Sequence, residues 1–79
     1  MDPGVLAAIR LLPTHKKSIE ELVLLSESFR TLCGDLAEAE LALKRWENST
    51  LPGKEARCAE YRQIIDGLEA ELRQAVHER

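Results

Sequence analysis

Residues 22–46 read LVLLSESFRTLCGDLAEAELALKRW, and this stretch decides the fold class. Its apolar positions step by three and four through Leu22, Leu25, Phe29, Leu32, Leu36, Ala39, Leu43 and Trp46. That spacing lays one continuous stripe along a helix and follows a heptad a/d pattern. Ser26-Glu27-Ser28 is the one segment that could bend or restart the helix. Gly34 weakens it locally by about 1 kcal/mol relative to Ala.

Moving toward the C-terminus, residues 48–53 read NSTLPG, which is turn chemistry by composition. Asn48-Ser49-Thr50 also matches a glycosylation acceptor, but the expected context makes it part of the turn. A second stripe follows through Cys58, Tyr61, Ile65, Leu68, Leu72 and Ala75. Folded about the turn, the stripes mesh in layers: Leu43 on Cys58, Ala39 on Tyr61, Leu36 on Ile65. Further layers place Leu32 on Leu68, Phe29 on Leu72 and Leu25 on Ala75. Small residues then oppose large ones, as interdigitated cores require.

Moving toward the N-terminus, Asp2-Pro3 is a helix-start pair. Val5, Ile9 and Leu12 share a face, and Pro13 ends it. Thr14 or Ser18 is positioned to cap the next helix, and Ser18 with Glu21 forms the capping-box pattern. The expected architecture is all-α, one domain over 1–79. It is an antiparallel, coiled-coil-like two-helix hairpin with a short N-terminal helix. The elements are a helix over 3–12, a long helix over 18–47, a turn over 48–53 and a long helix over 54–77.

Size and charge narrow the function. The chain has 79 residues, 44% of them hydrophobic and 32% charged, with a net charge of −3. A domain this small buries only about 60% of its unfolded surface. Chains of this size often recruit a metal, a disulfide or a partner. The acidic balance and the mixed charges argue against a nucleic-acid partner, which needs clustered Lys and Arg. Asp2 faces Arg10, Lys16 and Lys17 in the first 17 residues, so that end is basic. No run approaches the ~20 apolar residues of a membrane span. Val5–Leu12 lacks a basic leader, so secretion is not expected and a cytoplasmic location is.

Candidate chemistry is sparse. In the expected register Cys33 and Cys58 lie ~15 Å apart along the hairpin. A disulfide needs Cα atoms within about 7 Å, so an intrachain bridge is excluded and both read as buried hydrophobes. His15 and His77 meet at the open end of the hairpin, but two imidazoles make a poor metal site. Glu40–Lys44 and Glu69–Arg73 have the i,i+4 spacing of helix ion pairs, not of acid–base dyads. The serines lack a nucleophile elbow and the glycines form no phosphate loop. No enzyme, cofactor or metal is expected.

Interaction is the function class that remains. Ile19, Val23, Leu24, Leu41, Ile64 and Val76 lie off the hairpin seam. The N-terminal helix can cover some of them, but not Leu41 and Ile64 near mid-hairpin. Uncovered apolar surface points to another chain. The leading reading is a non-enzymatic interaction or structural module that self-associates, as a homodimer forming a four-helix bundle. Leu41, Ile64 and Trp46 are its candidate interface, with Trp46 otherwise serving as a lid over the turn. An adaptor that binds a protein or membrane surface through its N-terminal segment is the alternative.

Ser28-Phe29-Arg30-Thr31-Leu32, followed by a long amphipathic helix, a polar turn and a second helix, resembles the YdcH-like family of short bacterial proteins. The resemblance spans roughly residues 15–76. It implies an uncharacterised helical hairpin with a Phe-x-x-Leu element early in its first long helix, and no known activity. Trp46-Glu47-Asn48 near the turn is also similar to the Trp-x-Gly element of small secreted hairpin dimers, with Asn48 standing where that element has Gly.

Overall fold

Asp2 starts the first helix as the sequence suggests. In the computed structural model, which describes residues 2–78, its side chain accepts from the Val5 amide at 3.4 Å. Helix α1 runs Pro3–Leu11, and Pro3 stands where an amide would be unpaired anyway. Pro13 then opens a single 3-10 turn, Pro13–His15. Helix α2 spans Lys16–Leu25, α3 spans Glu27–Glu47 and α4 spans Lys54–His77. All regular structure among the described residues is helical.

The helix expected over 18–47 is therefore two helices. Ser26 leaves the helical region for extended backbone (φ −134°, ψ 116°), and its hydroxyl accepts from the Phe29 amide at 3.1 Å. A serine side chain offers the backbone an alternative to the helical ladder, which is why it restarts α3 here. The Arg30 guanidinium donates back to the Val23 carbonyl and so covers the end of α2. The capping box expected at Ser18 does not form, because α2 already begins at Lys16 and Ser18 lies inside its first turn.

The turn over residues 48–53 is placed as expected. The Leu51 amide donates to Ser49 Oγ at 3.0 Å. Gly53 takes φ +85°, a left-handed conformation open to glycine, and leads into α4. Helices α3 and α4 pack along one another, with Ala39 and Ala42 close to Tyr61, Ile64 and Leu68. Arg62 of α4 also reaches Glu47 of α3 at 3.2 Å.

The chain is a four-helix unit rather than a two-helix hairpin with an appendage. Helix α3 packs against α1, α2 and α4. One core unites Val5, Ala8 and Leu12 of α1, Ile19 of α2, Phe29, Cys33 and Leu36 of α3, and Leu72 and Val76 of α4. The N-terminal segment, which the sequence leaves either packed on the hairpin or free, packs on it through α1, with Val5, Ala7, Ala8 and Leu12 buried. The contact is close at Gly4, where a Cβ would stand 2.8 Å from the Cys33 carbonyl carbon and the Gly34 nitrogen.

The layered register holds in part. Phe29, Leu36, Ala39, Cys58 and Leu72 are buried, and the other stripe residues are half-buried. Leu25 is the exception at 73% exposed. The break at Ser26 lets α2 turn independently of α3, so Leu25 leaves the seam. Leu22 instead lies close to Phe29 and Ala75.

Candidate functional site

Helix α1 docks on one side of α3 and α4 on the other, and the sites lie along these two seams. Between α1 and α3 an open groove of about 550 Å³ is lined by Pro3, Leu6, Ala37 and Leu41. Arg10, Glu38, Glu40 and Lys44 rim it. Leu41 is 50% exposed there and Leu6 40%. On the other side of Glu38, Ile64 is 48% exposed in a shallower groove with Ala39, Ala42, Tyr61 and Leu68. Leu41 and Ile64 thus flank one ridge of α3, as uncovered apolar side chains near mid-helix.

The groove owes its shape to α1. The Arg10 guanidinium reaches the Glu40 carboxylate at 3.4 Å, which ties the outer edge of α1 to α3. Glu40 takes that partner in place of Lys44, the residue that helical spacing offered. Glu69–Arg73 forms as the spacing suggests, at 2.6 Å. Both pairs are solvent-accessible and each is worth at most about 1 kcal/mol. Arg10 and Glu40 stand at the rim of the groove in which Leu41 is exposed.

Trp46 is half-buried at the end of α3, and its carbonyl accepts from the Ser49 amide at 3.0 Å. It lies beside the turn rather than in either groove. Ile19 and Val76, two of the off-seam residues, are buried by the packing of α2. Leu24 is 82% exposed at the end of α2.

The nucleophilic and titratable groups are dispersed. Cys33 and Cys58 are both buried and free. Burial pushes the Cys33 thiol up to about 11, and the Asp2 carboxylate adds to the effect. A neutral thiol in that setting is a packing group, not a nucleophile. His15 and His77 do come together, ring centroids 6.1 Å apart and nearly edge-to-face. No third ligand joins them, and no group of three metal-ligating side chains occurs among the described residues. No described helix is long and apolar enough to cross a membrane. The arrangement offers apolar burial with a charged rim.

Leu6 was not legible as a site residue. It adjoins buried Val5 and lies off the Val5–Ile9–Leu12 face. Its place in the groove follows only once α1 is docked.

No protein family, no curated protein and no solved structure matches the chain.

Proposed function

We propose that this protein is a small non-enzymatic interaction module that self-associates through an exposed apolar helix face. One observation carries the reading: Leu41 and Leu6, both large and apolar, remain open in a groove after the chain has completed its own core. Single exposed leucines are ordinary, whereas two in one concave, charge-rimmed groove favour an interface. Ile64 extends the apolar surface across the neighbouring ridge, and Trp46 stands at its turn end.

Because the core closes within one chain, association is not required for folding. The expected species is a reversible dimer of folded monomers. Light scattering at tens of micromolar gives twice the chain mass, and Leu41→Asp or Ile64→Asp lowers it with helicity unchanged. A monomer at that concentration overturns the reading.

A further inference from the structure

Helix α3 presents one largely open stripe, formed by exposed Glu38, Leu41, Lys44 and Arg45 together with Gly34 and Ala37, which are half-buried beside α1. At 3.6 residues per turn these six occupy about a third of the helix circumference, with Leu41 near the middle. Ala37 and Lys44 lie on its α1 side, in the groove with Leu6. Glu38 borders the α4 side, in the groove with Ile64, and Arg45 follows it by two turns. Each of these two flanks carries residues three or four positions before Leu41 and three or four after it.

That arrangement is self-complementary under a two-fold axis. Two antiparallel helices related by such an axis keep the same flank on the same side. The α4 flank therefore meets the α4 flank of the second copy. Glu38 then comes level with Arg45 of the second copy, and the pair occurs twice. On the α1 flank the apolar stem of Lys44 comes over Ala37 of the second copy, small against long, again twice. Gly34 has open space where a side chain would stand, which permits close approach at the edge of the seam.

The side chains of Glu38 and Arg45 have no ion pair or hydrogen bond with another described residue. Both charges are thus available. A parallel pairing of the same stripe would instead bring the α1 flank of one copy against the α4 flank of the other and set Lys44 beside Arg45, like charge on like.

We infer that a second copy of this chain docks α3 against α3 in antiparallel orientation, with Leu41 on the two-fold axis and Glu38 of each chain paired with Arg45 of the other. This rests on the self-association reading above and specifies its geometry.

Charge reversal tests it. The dimer dissociation constant is measured by sedimentation for Glu38→Arg, Arg45→Glu and the double variant, with helicity followed by circular dichroism. Each single variant turns two attractions into two repulsions and weakens the dimer about tenfold. The double variant restores the attractions and returns to within about threefold of the parent. Mixing the two single variants produces a heterodimer tighter than either homodimer, because one chain then carries two arginines and the other two glutamates. If Leu41→Asp dissociates the dimer but the reversals leave its affinity unchanged, or the double variant fails to recover, the antiparallel geometry is overturned and self-association stands. If the dimer survives Leu41→Asp, association uses another face. A parent chain that is monomeric at tens of micromolar overturns both.

Discussion

Gly4 of α1 lies directly on the backbone of Cys33 in α3. A Cβ at Gly4 would stand 2.8 Å from the Cys33 carbonyl carbon and 3.0 Å from its oxygen. Neither atom belongs to a movable side chain, so the two helices approach to glycine distance and cannot give way locally.

Gly4→Ala is accordingly expected to destabilise the protein by about 1–3 kcal/mol, through overpacking. Gly67 provides the contrast. It is helical and exposed, with open space around an added Cβ, so Gly67→Ala should stabilise by about 0.5–1 kcal/mol. Urea denaturation of the two variants should move the midpoint in opposite directions.

Leu36 and Leu25 occupy the same sequence stripe but not the same environment. Leu36 is fully buried, and Leu36→Ala should cost about 2–5 kcal/mol. Leu25 is mostly exposed, and Leu25→Ala should stay within about 0.5 kcal/mol of the parent. Thermal melts separate these outcomes, and equal losses would restore a continuous helix over 18–47.

Ser26→Ala removes the hydroxyl that accepts from the Phe29 amide and should cost about 1 kcal/mol. Ser28 only exchanges a hydrogen bond with Ser26 Oγ, so Ser28→Ala should cost less. Chemical denaturation of both variants checks the ranking.

The Cys33 thiol stands at about 11 in the folded chain against an ordinary 9.0, so its neutral form is favoured by folding. Below pH 9 the thiol is neutral in both states and the stabilisation is intact. As pH rises from 9 through 11 the unfolded chain ionises first, and up to about 2–3 kcal/mol is lost. The melting temperature should fall across that window, and the Cys33 part of the fall should vanish in Cys33→Ala. At neutral pH Cys33 should react with a thiol reagent only as fast as the protein opens.

Helix α4 and its turn were legible because two signals agree there: the three-four spacing from Cys58 to Ala75, and a Pro-Gly pair before it. The Ser26 break was legible only as composition. Leu25 and Phe29, on either side of Ser26, keep the spacing of one continuous helix, and spacing alone does not distinguish one helix from two. The docking of α1 was less legible still. It depends on backbone approach at Gly4, which has no periodic signature. Cys33 held a usable hint, since it lies beside the main stripe between Phe29 and Leu36 and widens the apolar face there. In the candidate site, Leu41 and Ile64 could be found because they lie off the hairpin seam. Leu6 and the Arg10–Glu40 tie could not, since each depends on the placement of α1.

The extended residue at Ser26 also uncouples the helical phase of α2 from that of α3. In an unbroken helix, a residue inserted near position 20 would rotate everything after it by about 100° and misalign every layer against α4. With the ladder interrupted, such an insertion is absorbed in α2, and the phase of α3 is set afresh at its own first turn. The phase of the α3–α4 pairing is therefore set apart from that of α2, while α1 and α2 must still reach the shared core through Val5, Leu12 and Ile19.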